Sequence, residues 1–189
     1  MLNIEIKSLR AQNRSLYADL PLERWFEQLL VHGFRRQLIL HRCNGLRRMV
    51  SHLMAQRSGV YVQAADAPEQ ERSPLLVNTA AIQEGAETHD LVHWLDIHAA
   101  THREMVEALQ HFCASHALPA PLQLVYEESV EADPQVAYRQ VCEWLELKPE
   151  PVTLLHRRIN PEPLAQLIVN WEEICQLIEP THHAWMLEA

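Results

Sequence analysis

Leu38-Ile39-Leu40-His41-Arg42-Cys43-Asn44-Gly45-Leu46-Arg47-Arg48-Met49-Val50-Ser51 is the stretch on which the reading of the fold turns. The apolar run from Gln37 to His41 is too short for a helix of its own and reads as a buried strand. Asn44 is an N-cap residue type, because its side-chain oxygen can accept from a free N–H of the first helical turn. Leu46, Met49, Val50, Leu53 and Met54 then recur at helical spacing, and Gly59 ends the helix. In open parallel sheets, ligands gather at the carboxyl ends of strands. The N–H groups and partial positive charge of a helix start favour a phosphate there. Arg42 sits at that strand end and can offer a fork of donors to phosphate oxygens. Ser51, about two to three turns into the helix, can present a hydroxyl on one face.

Upstream, Asn3 to Lys7 alternates polar and apolar and reads as a strand. Pro21 opens a helix carrying Trp25, Phe26, Leu29 and Leu30, and Gly33 stops it. Downstream, residues 62–74 are polar and hold two prolines, which predicts a mobile surface loop. A long helix is predicted from Thr88 to His116, with Leu91, Trp94, Leu95, Met105, Val106, Leu109, Phe112 and Cys113 on one face. Pro119 and Pro121 end it, and Leu122 to Tyr126 reads as a second buried strand. Asp133-Pro134 supplies an N-cap and a first helical residue for a helix through Val136, Ala137, Val141, Trp144 and Leu145. A proline-rich basic connection from Lys148 to Pro163 leads to a last helix over Leu164 to Ile178. Short strands alternating with amphipathic helices predict an α/β fold with a parallel sheet, in a single domain over 1–189.

With 48% apolar residues, a chain of 189 residues can bury one sizeable core. A formal net charge of -9 argues against a broad nucleic-acid surface. Arg35, Arg36, Arg42, Arg47, Arg48 and Arg57 nonetheless crowd together, as either a local anion site or a solvated basic helix face. Cys43, Cys113, Cys142 and Cys175 lie far apart with no C-x-x-C, which fits reduced thiols in a cytoplasmic protein. No apolar run reaches membrane-spanning length, and no basic-then-apolar signal opens the chain. Among the 12 histidines, His89 and His93 stand four apart with Asp96 three residues on, a spacing that could hold Zn²⁺. His98 and His102 form another such pair nearer the apolar face. H-E-x-x-H is absent and surface histidines are common on helices, so no metal site is expected. His182 and His183 read as tail residues.

Arg42, Asn44, Leu46, Arg47 and Ser51 resemble the pattern of sulfotransferases that use 3′-phosphoadenosine 5′-phosphosulfate, especially a bacterial branch with an Arg-x-Asn-x-Leu-Arg-x-x-x-Ser-like run. The likeness continues through Ala55-Gln56-Arg57-Ser58-Gly59-Val60-Tyr61 and through Leu124-Val125-Tyr126-Glu127, which is similar to a family strand ending in Tyr-Glu-Asp-Leu before an Asp-Pro helix start. Trp144-Leu145-Glu146-Leu147 and the segments from Arg158 to Ile174 and Thr181 to Leu187 resemble the family's later elements in order. The resemblance implies a P-loop NTPase-like parallel sheet flanked by helices and truncated at its N-terminus. It also implies sulfuryl transfer from 3′-phosphoadenosine 5′-phosphosulfate, as co-substrate, to an acceptor hydroxyl. Carried over, Arg42 and Ser51 grip the 3′-phosphate of the nucleotide; the commonest family spacing places the arginine at position 43, which is Cys43 here. The family's Gly/Ser/Thr-rich 5′-phosphosulfate loop has no counterpart between Met1 and His41, where Gly33 is the single glycine. The acceptor-activating base tends to come from that same region, so no catalytic residue is assigned; Tyr126-Glu127 reads either as a catalytic pair or as a strand end packed near basic residues. The other function class is a degenerate, non-catalytic family member acting as a protein-binding module. Acceptor and oligomeric state are left open.

Overall fold

Pro21 and Gly33 bracket the first described helix, α1 (Leu22–Val31), as the sequence predicts; Gly33 takes the left-handed backbone with φ 86°. The computed structural model describes residues 21–68, 73–84 and 87–188, so the strand expected over Asn3 to Lys7 lies outside the described residues. The chain forms two compact units, Met1–His41 with Ala99–Pro149 and Arg42–His98 with Glu150–Ala189.

In the first unit, β1 (Leu38–His41) pairs in parallel with β5 (Leu122–Val125), in register from Leu38↔Leu122 to His41↔Val125. The α/β expectation therefore holds at the level of mixed helices and a small parallel sheet. Trp25 and Phe26 of α1 pack on Met105, Leu109, Phe112 and Cys113 of the long helix, with the Phe26 and Phe112 rings 5.4 Å apart. Ile39 joins this cluster, whereas Leu38 and Leu40 are 40% and 53% exposed. The strand expected to be buried thus has one covered face: successive side chains of a strand alternate, and only Ile39 and His41 turn inward. After β5, a π-helical turn (Glu127–Glu131) precedes α4 (Pro134–Trp144), where the Asp133 side chain accepts from the Gln135 N–H at 2.9 Å. Arg36 lies over the Trp144 ring, pairs with Glu146 at 2.6 Å and donates to the Trp144 carbonyl.

In the second unit, α2 (Gly45–Ser58) begins on Asn44 and ends on Gly59 at φ 70°, both as expected. Leu46, Met49, Val50 and Met54 pack against Leu91, Trp94 and Leu95, with Leu164, Ile174, Ile178 and Met186 closing the core. The long helix, α3 (Leu91–Ser115), buries the predicted face except Val106, which is partly exposed. It starts three residues after Thr88 because β4 (Glu87–His89) pairs antiparallel with β3 (Ile82–Glu84). Within the predicted loop, β2 (Gln63–Ala64) pairs antiparallel with β6 (His156–Arg157).

The predicted last helix is two helices, α5 (Leu164–Leu167) and α6 (Trp171–Ile178). Ile168 is extended and bridges Leu75; the Leu75 N–H donates to the Leu167 carbonyl at 2.8 Å, and the Val169 N–H to the Leu75 carbonyl at 2.9 Å. β-Branched Ile168 and Val169 favour this extended backbone. Asn170 fixes the break, accepting from the Val77 N–H at 3.0 Å and donating to its carbonyl at 2.9 Å. Among the described residues, no helix is long and apolar enough to cross a membrane.

Candidate functional site

Arg42 and Cys43 join the end of β1 to the start of α2, and Asn44 determines how that helix begins. The Asn44 side chain is fully buried and accepts from the Arg47 N–H at 2.8 Å, while its amide donates to the Met186 carbonyl at 2.8 Å. The helix start is thereby pinned to the C-terminal segment. Gly45 packs closely: a Cβ there would lie 3.1 Å from Leu95 Cδ2. The N–H groups of Gly45 and Leu46 find no acceptor among the described residues, although both residues are buried. Buried backbone donors without partners are rare, and at a helix start they carry the positive end of the dipole.

Arg42 and Ser51 are both partly buried and both belong to the second unit. Ser51 lies within α2, about 9 Å along the axis from Gly45. Two nearby arginines hold backbone carbonyls. Arg47 is buried and its guanidinium donates to the carbonyls of Asn160 at 2.9 Å and Glu162 at 2.8 Å. Arg57 donates to the carbonyls of Pro74, at 3.0 Å, and Ser73. Neither a single solvated basic face nor a single anion site describes the arginine cluster. Tyr126 and Glu127, where β5 meets the π-helical turn, belong to the first unit.

The histidines are arranged differently from the helical spacing. His89 packs edge-on against His93 at 5.1 Å and approaches the Glu87 carboxylate at 3.3 Å. Asp96 does not turn to that pair. Its Oδ1 meets His183 Nε2 at 2.8 Å and His182 Nε2 at 3.4 Å. His183 is 2% exposed, so it is a core residue rather than a tail residue. His98 sits edge-on to Trp94 at 5.3 Å, and His102 lies over His41 with ring centroids 3.3 Å apart. No local pattern links Asp96 to residues so far along the chain; the adjacent His182-His183 pair was the only visible hint.

All four cysteines are free thiols. Burial pushes the Cys113 thiol up, and Cys175 is pushed up by burial and then by the carboxylates of Glu179 and Glu172. Both changes disfavour the thiolate and speak against a nucleophilic role for either residue.

No protein-family model matches the chain, and neither a curated protein nor a solved structure matches it significantly.

Proposed function

We propose that the chain is a sulfotransferase-type protein of the P-loop NTPase-like class that binds 3′-phosphoadenosine 5′-phosphosulfate through its 3′-phosphate. In this reading Arg42, Ser51 and the start of α2 form the phosphate site. The observation that carries it is the pair of N–H groups, Gly45 and Leu46, three and four residues after Arg42, that find no acceptor among the described residues. A phosphate dianion would accept from these donors, gain from the helix dipole and take a two-pronged contact from the Arg42 guanidinium. The Ser51 hydroxyl would add a neutral donor from the same helix. Arg42 follows directly on β1 in the chain.

The chemistry would be breakage of the sulfur–oxygen bond to the nucleotide's 5′-phosphate and formation of a bond to an acceptor hydroxyl oxygen. Negative charge grows on the departing phosphate oxygen, so the nucleotide must be held in line. The 3′-phosphate site contributes that orientation, and no residue is assigned to activating the acceptor.

Adenosine 3′,5′-bisphosphate tests the reading. A ligand that binds only the folded state at one hundred times its Kd adds about 2.7 kcal/mol of stability. For a chain of this size that corresponds to a melting-temperature rise of about 5–11 °C. Arg42→Ala should weaken binding tenfold or more, Ser51→Ala less, and adenosine 5′-monophosphate should give no comparable shift. No shift with millimolar bisphosphate would sink the reading and favour the non-catalytic, partner-binding alternative.

A further inference from the structure

We infer that Asp96, His182 and His183 form a binding site for one first-row divalent cation, with Zn²⁺ the best fit among common ions. One oxygen and two imidazole nitrogens lie within 4.8 Å of one another, and all three residues belong to the second unit. Four-coordinate zinc with donors at about 2.0–2.2 Å sets those donors roughly 3.3–3.6 Å apart. Asp96 Oδ1 to His182 Nε2 is already 3.4 Å, and Asp96 Oδ1 to His183 Nε2 is 2.8 Å. Opening the shorter pair by about half an ångström reaches the coordination distance.

A buried histidine hydrogen-bonded to a carboxylate explains His183 alone. It does not explain His182, whose side chain is 75% exposed yet brings Nε2 to the same carboxylate oxygen. An exposed side chain loses rotamer freedom by holding that position, and a weak surface contact offsets little of it. Convergence of two imidazole nitrogens on one oxygen is the arrangement a cation would reward. The turn that presents them is fixed: the Thr181 hydroxyl donates to the Ile178 carbonyl at 2.7 Å, and the His183 N–H donates to that hydroxyl at 3.1 Å. The Met186 N–H then closes on the His183 carbonyl at 2.9 Å. Asp96 stands on α3, so only modest side-chain movement is needed to assemble the set.

Two imidazoles and one carboxylate suit zinc, cobalt, nickel and copper, and do not suit calcium or magnesium, which prefer all-oxygen sets. Three protein ligands would leave a fourth position for water or a substrate atom, and Asp96 and His182 are open to solvent. Closed structural zinc sites use four protein ligands; this set would hold an exchangeable ion that ties the C-terminal turn to α3.

Titration of the full chain with Co²⁺, followed by its visible absorption, tests the site, with Zn²⁺ competition reporting the native-like affinity. One Co²⁺ per chain is expected, displaced by Zn²⁺, with the melting temperature raised by several degrees. His182→Ala removes an exposed ligand without opening the core and should weaken binding tenfold or more, as should Asp96→Asn. A His89→Ala/His93→Ala double variant should bind as the parent does. The site is refuted by no saturable binding below 1 mM, an order-of-magnitude threshold for a specific site, or by unchanged binding in both His182→Ala and Asp96→Asn. Loss confined to the His89/His93 variant also refutes it.

Discussion

Replacing Asn44 by alanine removes two interactions at one stroke, and their sum can be worked from the structure. The first is the N-cap: the side-chain oxygen accepts from the Arg47 N–H at 2.8 Å, and loss of such a cap costs about 1 kcal/mol. The second is the amide's bond to the Met186 carbonyl, also 2.8 Å, within a side chain that is fully buried. Removing that donor strands a carbonyl, at a cost of about 1–3 kcal/mol. Asn44→Ala is therefore expected to cost about 2–4 kcal/mol, equivalent to roughly 4–16 °C in melting temperature. Serine separates the parts, because it can still cap but is too short to reach Met186; Asn44→Ser should recover about 1 kcal/mol of the loss. Urea unfolding followed by far-ultraviolet circular dichroism measures both variants, with slopes compared to confirm that the same surface is exposed. A loss below about 0.5 kcal/mol for alanine, the lower bound for a cap alone, would refute the two-bond account. So would equal losses for serine and alanine.

Glu173 accepts from the Asn170 amide at 2.9 Å and from the Thr79 hydroxyl, and these bonds hold its carboxyl below the usual carboxylate range. Its contribution is thus present above the unfolded value of about 4.3 and is lost as pH falls through the lower folded value. The stability gap between the parent and Glu173→Gln should narrow on acidification, and a gap that widens would reverse the sign of the argument. Ala117 closes α3 with φ 51°, a left-handed conformation that alanine adopts at a cost. Ala117→Gly should stabilise the protein by about 0.5–1 kcal/mol in the same unfolding assay, and a loss would show that the methyl group packs usefully there.

Local chemistry was legible in the sequence wherever one residue acts on its near neighbours. Asn44, Gly59, Asp133 and Gly33 mark helix ends because their capping groups or backbone freedom operate within a turn. Failures occur where a distant strand overrides local preference. The helix predicted over Leu164 to Ile178 breaks because Leu75, about a hundred residues earlier, takes both the Leu167 carbonyl and the Val169 N–H. Leu38 and Leu40 share the apolar character of a buried strand, but sequence alone does not say how many layers cover it.

The same distinction separates the two candidate sites. Arg42 and Ser51 were paired through the family resemblance; Arg42 precedes α2 and Ser51 lies within it. Arg47 looked equivalent to Arg42 in charge and spacing, yet it is buried and committed to the Asn160 and Glu162 carbonyls. A guanidinium so held stabilises the packing of the C-terminal segment on α2 and cannot also follow a mobile phosphate. Asp96 illustrates the opposite error: the predicted helix offered His89 and His93 as partners, whereas His89 lies in β4 and the contacts of Asp96 come from residues 86 and 87 positions away. Helical spacing reveals which side chains can share a face, and tertiary closure decides which of them meet. A metal test that separates His182 from His89 and His93 therefore distinguishes a site built by the fold from one suggested only by the period of a helix.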